Sequence, residues 1–368
     1  MISFQEYRTL QEGGNVQIGD QSAERIDLSK ISRDDITPEI EKVLDSFNQA
    51  FEAEHNIPIW SGELFKSKKF LSGSAFHFFD KAIATAEFKQ YKNTIGDIDT
   101  QVDSAFEGQV EAFLTASAGK SFGPAKLIGH KNSAGQSISL WEFPAFKINV
   151  QIDLEYVDFA NGEPTAWSQF SHSSDWDDIK AGIKGVFHKY VMRALTSKTL
   201  RDIIILKGKK EVPTQVKATD LSFYVGQGLR VKIEPVMDGD VHRHQDGLQV
   251  YRPIPTQASK YVTDLKIMFE ILFGKAPNKS EMELFNSFIG CLTLVKNHFS
   301  EKEQDTFVLG FAHTLWGPGA QGLYRGDAER DLHDKMIAYS RAIQVLGQDQ
   351  HSAAAIETLR ANYYKTYR

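Results

Sequence analysis

The sequence predicts an α+β fold, and three stretches carry that reading. Residues 146–159 alternate apolar and polar side chains as a long strand does, residues 201–256 are strand-like and turn-rich, and helical periodicity dominates from about Gln257 onward. At 368 residues the chain exceeds one ordinary domain. Its composition shifts divide it into an N-terminal arm and helix over 1–59, a core unit over 60–200, a β-rich subdomain over 201–256 and a helical C-terminal domain over 257–368.

Residues 1–35 are charged and contain glycine, the pattern of an irregular arm. Thr37-Pro38-Glu39 puts a proline in a first helical turn, where its missing N–H does no harm. Ile40, Val43, Leu44, Phe47 and Phe51 then recur at helical spacing. Ala75 to Tyr91 predicts one helix, with Phe76, Phe79, Ile83 and Phe88 near the same period. Ala125–Ile128 and Ser137–Glu142 flank Asn132-Ser133-Ala134-Gly135, a hairpin signature leading into the strand over 146–159. Ser174, with Asp177 three residues later, reads as a helix N-cap. That helix is expected to reach about Leu195, burying Trp176, Ile179, Ile183, Phe187, Tyr190 and Val191 and carrying Lys180, Lys184 and His188 on one side. Further on, Ile203–Leu206, Leu221–Val225, Leu229–Ile233 and Leu248–Tyr251 read as strands. Helices are expected around Leu265–Leu272, Met282–Ile289, Asp327–Leu346 and Ala353–Tyr364.

The bulk properties narrow the function classes. A net charge of −6 argues against an overall electrostatic grip on nucleic acid and leaves room only for a local basic groove. The single cysteine, Cys291, excludes an intramolecular disulfide framework and a multi-cysteine zinc site, and its apolar setting predicts a buried, inert thiol. The start of the chain is polar, without the apolar core of a signal peptide, and no run of 18 apolar residues occurs. A protein of the cytoplasm without membrane contact is therefore expected, the host cytosol serving equally for a viral chain.

The chemistry concentrates in two short motifs and one strand. Successive side chains of a strand point to opposite faces, so Asp97 and Asp99 of Gly96-Asp97-Ile98-Asp99 project together while Ile98 and Val102 face the core. Two carboxylates on one face can grip hard divalent cations such as Mg²⁺ or Mn²⁺. On the strand over 146–159, Ile148, Val150, Ile152, Leu154 and Tyr156 form one face and Asn149, Gln151, Asp153 and Glu155 the other. Asp153 is the expected third metal-site carboxylate, as general base or second-metal ligand, with Glu155 in reserve. Upstream, Gly73-Ser74 is a small turn of the kind whose backbone N–H groups can cradle phosphate.

In this order, Ser72-Gly73-Ser74, then Gly96-Asp97-Ile98-Asp99, then Asp153, the chain resembles the DNA polymerase β-like nucleotidyltransferase superfamily over roughly residues 60–200. The resemblance implies a small mixed sheet flanked by helices, two Mg²⁺ ions on the aspartates, and transfer of a nucleoside monophosphate from an NTP. Gly73 and Ser74 would hold the triphosphate, and Lys184 and Lys180 are candidate phosphate contacts. The acceptor could be RNA, with a tRNA or other 3′ end favoured, a small molecule or a protein hydroxyl. The 22 residues from Ala75 to Gly96 exceed the family's usual gap, and a longer helix and loop are expected to absorb them.

Other motifs carry less. Ala118-Gly119-Lys120-Ser121 lacks the earlier glycine of a P-loop, since Leu114 occupies that position. Asp238, Asp240, His242 and His244 alternate but sit in a turn-like context, and Gly226-Gln227-Gly228 reads as a strand turn. Two rival readings remain: a toxin- or defence-type transferase using the same site on a protein or tRNA, and a binding protein on a nucleotidyltransferase-like scaffold without catalysis.

Overall fold

The computed structural model describes residues 16–133, 135–197, 200, 216–224, 226–235, 241–243, 249–251, 260–318, 320, 322–323, 327–347 and 353–366. Residues 1–15 of the expected arm, the expected strand Ile203–Leu206, and Asp238, Asp240 and His244 lie outside the described residues. The chain forms two compact units, residues 1–185 with 323–331 and residues 186–322 with 332–368. The expected N-terminal segment thus belongs to the first unit, and the boundary expected near residue 200 falls at 185.

The first unit opens with short strands β1 (Gln17–Ile18), β2 (Gln21–Ser22), β3 (Ile26–Asp27) and, after helices, β4 (Thr94–Ile95). Its sheet contains β5 (Asp97–Asp103), β6 (Ser121–Phe122), β7 (Ala125–Ser133), β8 (Gln136–Phe143) and β9 (Ile148–Val157), in the order β5-β9-β8-β7-β6. β5 pairs with β9 in parallel and every other neighbour is antiparallel, so the sheet is mixed. The expected hairpin is the β7–β8 pair.

A long helix, Arg33–His55, packs on this sheet. Phe47 meets Phe113, Phe122 and Trp141 edge-on at centroid distances of 5.2, 5.4 and 5.7 Å. Such aromatic pairs add to the burial of the rings themselves. The helix begins four residues before the expected Thr37, because Ser32 Oγ accepts the Asp34 N–H at 3.2 Å and caps it there. Pro38 consequently lies inside the helix, on its exposed side, where water can satisfy the carbonyl its absent N–H would have bonded.

The segment expected as one helix over 75–91 is two, Gly73–Phe79 and Thr85–Tyr91. Arg33 accounts for the break. Its buried guanidinium donates to the carbonyls of Phe78 at 2.7 Å, Ile83 and Asp80, and to that of His77 at 3.3 Å. These acceptors are carbonyls that a continuous helix would have spent on its own ladder. The second short helix occupies much of the stretch between Phe79 and Gly96.

The helix expected over 174–195 is also two. The first, Trp176–Lys180, is capped by Asp175, whose Oδ1 accepts the N–H of Asp177 at 2.8 Å and of Asp178 at 3.3 Å. It ends in a Schellman motif: Ile183 N–H reaches the Asp178 carbonyl at 2.8 Å, Gly182 N–H the Ile179 carbonyl at 2.9 Å, and Gly182 sits at φ +74°. The second helix, Val186–Leu195, belongs to the other unit.

That second unit holds most of the expected β-rich and helical regions, residues 323–331 belonging to the first. Val216–Tyr224, Gly228–Pro235 and Lys260–Val262 form a three-stranded sheet, with the turn at Gly226-Gln227 joining the first two. Helices Leu265–Phe273, Lys279–Phe285, Phe288–His298, Glu301–Trp316, Ala328–Leu346 and Ala353–Thr366 follow. The pattern read as one helix around Met282–Ile289 breaks at Asn286-Ser287, where Ser287 Oγ accepts the Gly290 N–H at 3.0 Å and starts a new helix. Cys291 is buried as expected, its thiol 3.3 Å from the Phe285 carbonyl. Among the described residues no helix is long and apolar enough to cross a membrane.

Candidate metal centre

The parallel pair β5–β9 builds the centre. Its register sets Asp97 beside Gln151 and Asp99 beside Asp153. In-register neighbours of a parallel pair share a face, as do residues two apart along one strand. Ile98, Thr100 and Val102 fill the opposite face and are wholly buried. Asp97, Asp99 and Asp153 are thereby brought together, each offering an oxygen within 4.8 Å of the others. Asp153 is buried, Asp97 and Asp99 half-buried. Glu155 stands one step further along, opposite Gln101, and is not part of the three-oxygen group.

Burial pushes the Asp99 and Asp153 carboxyls well above the usual carboxylate range, and repulsion from Asp97 and Glu155 adds to it. Asp97 is raised as well, by burial first, with Lys92 and Arg25 pulling the other way. Three carboxylates at this spacing resist joint ionisation unless a cation sits among them. The donors are all carboxylate oxygens, which suits Mg²⁺ or Mn²⁺. The residues present therefore fit such an ion.

The Gly73-Ser74 turn arrives from the free side of β5. Gln101 N–H donates to the Phe70 carbonyl at 2.6 Å and Ser72 N–H to the Asp99 carbonyl at 3.1 Å, so residues 70–72 run antiparallel along that edge. Gly73 follows at φ +56°, and a Cβ there would lie 2.6 Å from Asp99 Oδ2. Only glycine allows this close approach. Ser74 comes next, half-buried in the first turn of the helix Gly73–Phe79. Ser72 Oγ donates to Glu155 Oε2 at 2.8 Å, and His172 Nε2 stands 3.9 Å from Glu155 Oε1, so Glu155 is already engaged.

The two lysines expected as phosphate contacts part company. Lys184 sits in the exposed loop after the Schellman turn rather than on a helix. That loop is pressed onto Ser173-Ser174, since a Cβ on Gly185 would meet Ser174 Oγ at 2.7 Å, and Ser173 in turn bridges to Gly73. Lys180 is exposed and pairs with Asp177 at 2.5 Å, with Glu87 and Tyr91 also acting on it.

Two cations that the sequence reading missed act directly on the cluster. Lys92 is half-buried and held below its usual value by burial, against the pull of Asp97 and Asp99. Among the described residues its ammonium has no ion pair. Arg25 is exposed and acts on both Lys92 and Asp97. Gln151, on the same face as Asp153, was visible in the strand alternation; nothing local marks Lys92 or Arg25.

None of the family models, curated proteins or solved structures compared with this chain matches it.

Proposed function

We propose that this protein is a metal-dependent nucleotidyltransferase that moves a nucleoside monophosphate from an NTP to an acceptor hydroxyl. The observation that carries the reading is the three-carboxylate cluster with Gly73 pressed against Asp99. Asp97, Asp99 and Asp153 would hold Mg²⁺ or Mn²⁺, which when bound supplies charge neutralisation at the triphosphate and at the oxygens being exchanged.

The chain's own groups do the rest. The Gly73-Ser74 turn, held against Asp99, would position the triphosphate. Asp153, the most buried of the three carboxylates and pushed up like Asp99, takes the proton of the acceptor hydroxyl. The acceptor oxygen forms its bond to the α-phosphorus as the bond to the β-phosphate oxygen breaks, and pyrophosphate leaves. Lys92, whose charge is felt together with that of Lys184 and against Asp97 and Asp99, would offset negative charge gained by the leaving group. Positioning and electrostatics thus supply most of the catalysis. An RNA 3′ end, tRNA included, is the favoured acceptor, ahead of a small molecule or a protein hydroxyl.

The test is incubation with each α-³²P-labelled NTP, Mg²⁺ or Mn²⁺, total RNA and cell extract. Label transferred by the wild type and lost in the Asp97→Ala, Asp99→Ala protein supports the reading and identifies base and acceptor. A folded wild-type protein that transfers no label from any NTP overturns it.

A further inference from the structure

The sheet alone does not hold Asp153. Gln151, two residues earlier on β9 and 2% exposed, donates from Nε2 to both carboxylate oxygens of Asp153, at 2.9 and 3.0 Å. Its other end is also engaged, since Oε1 accepts the backbone N–H of Val16 at 3.0 Å. The two ends of a primary amide are told apart only by their partners. A backbone donor on Oε1 therefore dictates that Nε2 faces Asp153.

Val16 leads into the β1–β2 hairpin, which is tied down independently. Ala23 N–H donates to the Val16 carbonyl and Glu24 N–H to the Asn149 carbonyl, both at 2.8 Å, and Ile18 rests on Gly129. A chain of contacts thus runs from the hairpin through Val16 and Gln151 to the third carboxylate.

We propose that Gln151 is a positioning residue for Asp153, and that the N-terminal hairpin sets it through Val16. The inference rests on reading Asp97, Asp99 and Asp153 as a cation site. Each Asp153 oxygen gives one lone pair to Gln151 and keeps another for a metal ion. Without that grip Asp153 turns away from Asp97 and Asp99, which repel it. Partners of this kind, which orient a metal-binding carboxylate without touching the metal, change metal affinity by about 10–100-fold when removed.

The experiment is a Mn²⁺ titration of the full-length protein by calorimetry, with melting temperatures recorded alongside. Asp99→Asn is the control for the site. Gln151→Met keeps the side-chain length and removes the donor, and Val16→Pro removes the backbone N–H that holds Oε1. The expected result is Mn²⁺ binding by the wild type, its loss in Asp99→Asn, an affinity about 10–100-fold weaker in Gln151→Met, and a shift in the same direction in Val16→Pro. A merely structural role for Gln151 would lower the melting temperature and leave the affinity in place. Should Val16→Pro fail to fold, Gln151→Met decides. If Asp99→Asn abolishes binding but Gln151→Met binds as tightly as wild type, the inference falls and the site stands. If wild type and Asp99→Asn behave alike toward Mn²⁺, the site reading fails and takes the inference with it.

Discussion

Substituting Gly73 by alanine strikes the contact on which the centre depends. Two effects are separable. Gly73 sits at φ +56°, where an L-residue is strained by roughly 1–2 kcal/mol. The added Cβ would also stand 2.6 Å from Asp99 Oδ2, well inside van der Waals contact, so the carboxylate must swing away. Gly162 provides the control, because it has φ +79° and open space around its Cβ position. Gly162→Ala should therefore lose only about 1–2 kcal/mol of stability in urea denaturation and keep its activity. Gly73→Ala should lose a similar amount and, in addition, displace Asp99 Oδ2, one of the oxygens proposed to hold the cation. A misplacement approaching 1 Å costs on the order of 100-fold in rate. The assay is labelled nucleotide transfer, read beside Mn²⁺ affinity. Transfer and affinity at wild-type levels in Gly73→Ala would refute the reasoning, since the crowding would then have been relieved without touching the chemistry.

Three more predictions follow from the same geometry. The Asp99 and Asp153 carboxyls are raised above the usual 3.8 in the folded state, so the stability they contribute is complete below that pH and drains away as pH rises through their folded values. In EDTA the melting temperature of the wild type should therefore fall relative to Asp99→Asn as pH climbs from about 4 toward neutrality, and Mn²⁺ should remove that difference. Arg33→Met leaves the carbonyls of Phe78, Ile83, His77 and Asp80 without their donor and should cost about 3–5 kcal/mol in urea denaturation. Burial holds His188 down to about 4 from its usual 6.5, so it contributes stability above 6.5 that is lost as pH falls toward 4. That loss should reach about 3 kcal/mol, and be absent in His188→Gln, when unfolding is followed across that range.

How much was legible in the sequence depends on the range of the interaction. Asp97, Asp99 and Asp153 could be found because strand alternation is a local, period-two signal and carboxylates on such strands stand out. Their distance could not, since it comes from the parallel register of β5 on β9 across some fifty residues of chain. The break near Asp80 was invisible because its cause, Arg33, lies far upstream and acts through carbonyls rather than side-chain pattern. The break at Gly182 did carry a local signal, a glycine positioned for a Schellman turn, but the apolar stripe from Trp176 to Val191 masked it. The same stripe predicts Lys184 on a helix, and no local pattern marks a loop lysine such as Lys92.

The one parallel pair explains why the centre is where it is. Antiparallel pairing sets Asp153 opposite Ile138 on β8, so that side of β9 offers no partner carboxylate. On the other side, parallel pairing with β5 brings Asp99 level with Asp153 and Asp97 one step before it. β5 is also the edge strand, which leaves its outer side free for residues 70–72 and delivers Gly73 to Asp99. A shift of β5 by one residue would turn both aspartates into the core and break all three relations at once. Ile98, Thr100 and Val102 on the buried face, with Thr100 Oγ1 donating to the Asp153 carbonyl at 2.8 Å, are what forbid that shift. The hydrophobic core thus enforces register: it holds three carboxylates at a spacing that their own repulsion opposes and that, on the proposed reading, a divalent cation would relieve.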